Sequence, residues 1–334
     1  MKRFIKFLSM LLVLLCTYSA FADTATAKHQ EEDCNIYVIY NDSIVPGEAV
    51  FVRMTIQIPK SHKKNKSPET AATLQLYQKQ KVIQKATFYA TGKNKKANSK
   101  EYLCGIPLST WLTDNEYTLK VSFSINEGET KEFTLPVKFK MKEYNKETIQ
   151  LNESNTKTIT DNSPERAAQI KKLNAILYSV NPENVFSLKP MIKPNPSTRI
   201  TSYFGDRRIY AYSNGKSSTS EHYGNDYGVP TGSEVRACAD GKVVLSEWRN
   251  TTGYTVVIEH LPGLYSLYYH LSEMNVKEGD FVTQNMIIGK SGSTGLATGP
   301  HLHWEMRLNG SAVRPEFFIG NFTFEPETIP EVKK

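Results

Sequence analysis

Beyond its first two dozen residues this chain has no long apolar run, which excludes a membrane-embedded transporter. Cysteine is scarce, with four in 334 residues. Strong charge of either sign is also missing: 41 basic against 34 acidic side chains leave +7, and about +4 without Lys2, Arg3 and Lys6. That excess is too mild to argue for nucleic acid. What is present is ordinary for a folded protein. Hydrophobic residues make up 39% and charged residues 22%, which rules out disorder along the whole length and suits roughly two domains at ~100–200 residues each. No internal repeat is visible.

The N-terminus reads as a signal for export. Lys2, Arg3 and Lys6 form a basic start, Phe7 to Cys16 an apolar stretch, and Ala20-Phe21-Ala22 a small-x-small cleavage pattern. Residues 1–22 are therefore expected to be removed, leaving no membrane span and a destination in the periplasm, the cell envelope or the medium. The competing readings are an uncleaved anchor and lipidation at Cys16, although a lipobox wants a small residue where Leu15 stands. Cleavage leaves Cys34, Cys104 and Cys238. The odd number means that one lacks an intramolecular partner, and sharing one domain makes Cys34 and Cys104 the expected pair. Cys238, within Val235-Arg236-Ala237-Cys238-Ala239, reads as a buried strand residue.

Residues 34–142 alternate with period two. Val52, Met54, Ile56 and Ile58 are interleaved with polar residues, as are Leu119, Val121, Phe123 and Ile125, and Phe133, Leu135, Val137 and Phe139. Such alternation puts one strand face in a core and the other in water. Turn clusters at Pro46-Gly47, Thr91–Asn94 and Asn126–Glu129 separate the strands. The expectation is an immunoglobulin-like β-sandwich. Within it, residues 61–100 hold ten lysines against one acid, Glu69. These read as solvated loops and edge strands, or as a patch for an anionic envelope polymer.

Residues 143–197 read as a linker that contains one helix. Ser163 suits an N-cap, with Pro164 at the first helical position and Glu165 in the first turn. Ala167, Ile170, Leu173, Ala175, Ile176 and Leu177 then give a stripe over a helix near 164–179 that needs a surface to dock on. Pro190, Pro194 and Pro196 mark an extended approach to the next domain.

Five of the seven histidines lie between positions 222 and 303. His222 and Asp226 are four apart in a glycine-containing segment. His270 ends an alternating strand. His301-Leu302-His303 follows two glycine-rich turns, and on a strand residues i and i+2 share a face, so His301 and His303 project together with Leu302, Trp304 and Met306 behind them. A catalytic zinc commonly takes three ligands from His, Asp and Glu and leaves one position open. His222, Asp226 and one of the paired histidines satisfy that count, and two histidines remain for proton transfer and charge stabilisation.

The stretch from about 198 to 318 closely resembles the lysostaphin-like, LytM-type zinc metallopeptidases, family M23, of duplicated hybrid motif fold. Beside the histidines, the resemblance rests on Ile200–Arg207, Gly232–Ala237, Asp240–Val244, Gly253–His260, Val276–Val282 and Ile288-Gly289. It implies that His222, Asp226 and His303 hold one Zn2+, that His301 is the catalytic base, and that His270 is a second catalytic histidine hydrogen-bonding the developing oxyanion. His260 is expected to be structural. Asn225 departs from the family pattern, where an aliphatic residue is usual. So does a long Ser/Gly/Tyr-rich loop at 206–221. The expected fold is mainly β: a sandwich at 34–142, a helical linker at 143–197, an antiparallel β peptidase domain at 198–320 and a tail at 321–334. The expected activity is zinc-dependent hydrolysis of peptide bonds in bacterial peptidoglycan stems or cross-links. The alternatives are a non-enzymatic activator of cell-wall amidases and an envelope-binding module. Because all five site residues follow position 198, a fragment of about residues 185–334 is expected to fold and act alone.

Overall fold

A computed structural model describes residues 24–31, 34–58, 70–94, 98–319 and Phe324. The leader with Cys16, the tail apart from Phe324, and lysines 63, 64, 66, 95 and 96 of the basic stretch lie outside the described residues. Among the described residues no helix is long and apolar enough to cross a membrane. The chain is mainly β and divides into two compact units. One runs to Ser43 and adds Phe51–Cys104 and Glu116–Lys138. The other takes Ile44–Val50, Gly105–Asn115 and the chain from Phe139 onward.

In the first unit the alternating residues form two sheets. One orders its strands Thr24–Gln30, Asn35–Asn41, Ala49–Gln57, Ser99–Pro107, Tyr89–Asn94, and the other Lys131–Leu135, Tyr117–Ile125, Thr70–Gln78, Lys81–Thr87. Each turns one apolar face inward: Ile36, Val38, Val52, Met54 and Ile56 from the first, and Leu74, Leu76, Leu119, Val121, Phe123 and Leu135 from the second, are all buried. The faces meet where His29 stacks on Phe133 at 5.2 Å between ring centroids.

The expected Cys34–Cys104 disulfide is not formed, and Cys104 is a free, buried thiol. The sheet order explains why. Cys34 leads into Asn35–Asn41 and Cys104 sits in Ser99–Pro107, with Ala49–Gln57 hydrogen-bonded between them. Two inter-strand spacings come to about 9.5 Å, beyond the ~7 Å Cα separation that a disulfide can bridge.

The second unit is built on an eight-stranded sheet. Its path runs Ile200–Ser202, Gly224–Tyr227, Leu302–Leu308, Leu264–Leu271, Gly253–Leu261, Gly241–Arg249, Phe281–Val282, with Ser311–Val313 added beside Leu302–Leu308. Three site strands are thus neighbours. Register sets Asp226 opposite His303, and Tyr269, which precedes His270, opposite His303 on the other side. The first and last of the site's histidines, 81 residues apart in sequence, are brought together by this pairing and by the backbone bonds that tie His222 to Gly205 and Asp206.

The segment read as a linker is part of this unit. Lys146–Gln150 pairs in parallel with Arg207–Ala211, which pairs antiparallel with Ser217–Glu221. The supposed loop at 206–221 is therefore a hairpin carrying a third strand on its edge. A short helix, Glu153–Ile159, follows, capped by the Asn152 side chain. The helix Pro164–Leu177 starts at an Ser163 cap, whose hydroxyl accepts from the Arg166 N–H at 3.2 Å. Its buried stripe is narrower than the sequence suggests, because Ile170 is 42% exposed. Leu173 and Leu177, with Ile176 beside them, pack on Leu245, Val257, Tyr265, Leu267 and Tyr269 of the large sheet.

Candidate metal centre

Three polar atoms converge among the described residues. His222 Nε2 lies 3.1 Å from Asp226 Oδ1 and 3.0 Å from His303 Nδ1, and that Nδ1 lies 2.7 Å from Asp226 Oδ1. Tetrahedral zinc with ligand bonds near 2.0–2.1 Å sets its donors about 3.3 Å apart, so small side-chain adjustments make this triangle fit.

Each of the three is aimed from behind. The His222 Nδ1–H donates to the Tyr203 carbonyl at 2.8 Å, leaving a lone pair on Nε2. His303 donates from Nε2 to Glu305 at 3.0 Å, which turns Nδ1 to the centre. Asp226 gives its second oxygen to the Arg208 guanidinium at 2.9 Å. Outer partners of this kind fix the tautomer and orientation of metal-binding groups. Tyr269 supports the His303 ring from one side, stacked at 5.1 Å and 4°. Gly224 permits the approach of the two strands, since a Cβ there would fall 2.3 Å from the Trp304 carbonyl.

The electrostatics favour a cation at this point. Burial opposes charge on Asp226, yet the imidazoles beside it hold its carboxyl well below the usual range. Burial keeps His222 low and neutral. Burial also opposes charge on His303, but hydrogen bonds with Asp226 and Glu305 hold it up at about 9. Glu305 is pushed up by burial and pulled down to about 2 by Arg307 and His303. A buried spot surrounded by this much acceptor capacity suits a divalent ion.

His301 and His270 stand beside the triangle. His301 Nε2 is 3.7 Å from Asp226 Oδ1, and its Nδ1–H donates to the Gly299 carbonyl at 2.8 Å. His270 donates from Nδ1 to the Thr294 carbonyl at 2.7 Å, and its ring centroid lies 4.7 Å from that of His301. Its backbone adopts φ +59°, the left-handed region that a non-glycine residue enters at a cost of roughly 1–3 kcal/mol.

The structure thus brings together all five residues named from the sequence. His260 is elsewhere, fully buried between the Asp240 carbonyl at 2.8 Å and the Ser266 hydroxyl at 2.7 Å. Sequence reasoning passed over Glu305, Arg307 and Arg208. Glu305 and Arg307 continue the alternation of His301 and His303 on the same strand face and could have been read from it. Arg208 carries no such local signal.

His260 gives a testable pH dependence. Burial depresses its pKa from 6.5 to about 4. The unfolded chain therefore takes up a proton near pH 6.5 that the folded chain refuses until pH 4. Stability is full above pH 6.5 and falls as pH drops through this window, by roughly 3 kcal/mol for this group. Chemical denaturation at pH 7 and 4.5 should show this loss, and His260→Gln should flatten the slope whatever it does to stability at pH 7. An unchanged slope would contradict the assignment.

Comparisons with known proteins bear on the same residues. Residues 220–315 match Peptidase family M23. That stretch is an M23 peptidase domain. It is 40% identical over 130 residues to the DD-carboxypeptidase/endopeptidase Mpg of Neisseria meningitidis serogroup B, covering 39% of this chain and 28% of that protein. It is 38% identical over 115 residues to the peptidoglycan DD-endopeptidase ShyA of Vibrio cholerae, covering 34% of this chain and 26% of that one. The chain thus spans little more than a quarter of the length of these curated relatives. A crystal structure from Pseudomonas aeruginosa described as a peptidase M23 shares the fold, with TM-score 0.52 and 22% identity over 84% of this chain and 96% of its own.

Proposed function

We propose that this protein is an exported zinc metalloendopeptidase acting on peptide bonds in bacterial peptidoglycan stems or cross-links. The observation that carries the reading is the donor triangle of His222, Asp226 and His303, each member held from behind with one atom left for a metal. Bound zinc supplies Lewis acidity and a nucleophilic water at neutral pH. An amidase activator without catalysis would be expected to lack part of that set. Peptidoglycan as substrate is supported by relatives named for it, and export by the basic, apolar and small-residue order of the leader.

The remaining residues supply proton handling. With Nδ1–H committed to Gly299, His301 keeps its Nε2 lone pair toward the centre. It takes the proton of the attacking water and returns it to the leaving amine, a role worth roughly 10²–10⁴-fold. His270 has the same tautomer, fixed by Thr294. A neutral His270 is thus an acceptor at Nε2, and it donates to an oxyanion only after gaining a proton. Its first role here is to order the water beside His301.

His301→Ala is expected to keep its zinc and lose at least about 100-fold in turnover. Zinc content by atomic emission and release of fragments from purified sacculi by mass spectrometry measure the two. Unimpaired turnover would refute His301 as base. A zinc-loaded wild-type enzyme that releases no peptide fragments would refute the function.

A further inference from the structure

Asp226 is the one member of the donor triangle with a second oxygen, and that oxygen is tied down. Arg208 Nη2 donates to Asp226 Oδ2 at 2.9 Å and lies 2.6 Å from the Ser202 hydroxyl. Arg208 Nε donates to Glu147 Oε1 at 2.7 Å, and the Ser202 hydroxyl donates to the same oxygen at 3.0 Å. Two strand registers hold these residues in place, with Glu147 opposite Arg208 and Ser202 opposite Asp226. The Arg208 and Asp226 side chains are only 12% and 10% exposed, and Glu147 34%.

The charges explain why three partners are needed. A carboxylate fixed at one oxygen presents the other in a single direction, instead of rotating between one- and two-oxygen binding. The guanidinium fork can impose this because its donors are planar and rigid. An unneutralised arginine beside a divalent ion would also repel it. Glu147 removes that penalty by pairing with Arg208 on the side away from the centre. Glu147 and Arg208 both lie before residue 220, outside the stretch matched to the family.

We propose that Arg208 and Glu147 are positioning residues for the metal site: Arg208 locks Asp226 with one oxygen toward the ion, and Glu147 holds and neutralises Arg208. This rests on the zinc reading above. The test uses the full mature chain as wild type, Arg208→Gln, Arg208→Lys and Glu147→Ala. Zinc affinity is measured by competition with a chromogenic chelator, and ligand geometry by the visible absorption bands of the cobalt(II)-loaded proteins. Loss of an outer-shell partner typically weakens metal binding 10–100-fold. Arg208→Gln should show a loss of this size with shifted cobalt bands. Glu147→Ala should move both readouts the same way by a smaller factor, and Arg208→Lys, which keeps charge but not the fork, should fall between Arg208→Gln and wild type. Affinity within about twofold of wild type and unchanged cobalt bands in Arg208→Gln would overturn the proposal. If circular dichroism shows that Arg208→Gln does not fold, Glu147→Ala decides by the same two criteria. A wild-type chain with no zinc affinity would overturn the zinc reading as well, whereas normal wild-type binding with indifferent variants would overturn only this one.

Discussion

Alanine at His222 or Asp226 is expected to abolish stoichiometric zinc binding. Asp226 and His303 on two neighbouring strands and His222 just ahead of the first of them supply the donors, and a site with two protein ligands is too weak to retain zinc through dialysis. The effect should be larger than the loss of contacts suggests, because the outer partners are then misdirected. Without Asp226, Arg208 keeps Glu147 but loses its other carboxylate partner, and without His222 the Tyr203 carbonyl loses its donor. His260→Gln is the control, since that residue touches none of the donors and should keep its metal. Zinc per chain after dialysis against a weak chelator gives the answer directly. Full occupancy in either alanine variant would show that the triangle is not the metal site.

Shortening the chain should have a comparably large effect. The sequence alone suggested that a fragment from about residue 185 would be self-sufficient, since every site residue follows it. The structure places the boundary earlier. Such a fragment lacks Leu173, Ile176 and Leu177, which cover Leu245, Val257, Tyr265, Leu267 and Tyr269. At ~1.5–3 kcal/mol per buried aliphatic side chain, the loss is about 4–8 kcal/mol, a large share of the 5–15 kcal/mol that holds a typical protein together. Tyr269 is also the ring stacked on His303, so the uncovered patch reaches the metal centre. The fragment from 185 should melt roughly 8–32 °C below one beginning near residue 140, at 2–4 °C per kcal/mol for a unit of this size. Thermal unfolding of the two fragments side by side measures this, and equal melting temperatures would show that the helix is dispensable.

The difference between these two expectations shows what the sequence could and could not display. Period-two alternation marked the strands of the first unit because each has one dry face. His301 and His303 were legible as a same-face pair for the same reason. Lys146–Gln150 was not, since Ile149 is its only apolar residue and its parallel partner lies some sixty positions away. Polar composition there looked like a tether, when the strand's inward side carries Glu147, Ile149 and then the buried Leu151. The cysteines failed for a topological reason: sharing one domain suggested proximity, but an intervening strand keeps them apart. Arg208 escaped notice because its importance lies in what stands opposite it in two ladders, and no local pattern records that.

The backbone at His270 sets stability against use. Its left-handed conformation is one that glycine or asparagine would adopt more comfortably. Either substitution would relax the backbone there while removing an imidazole from beside His301. A search for hardier versions of this protein that scored survival to heating alone would therefore be drawn to position 270 and would discard a residue aimed at the centre. Screening for hydrolysis together with heat tolerance would keep the histidine and leave the strained backbone as it is.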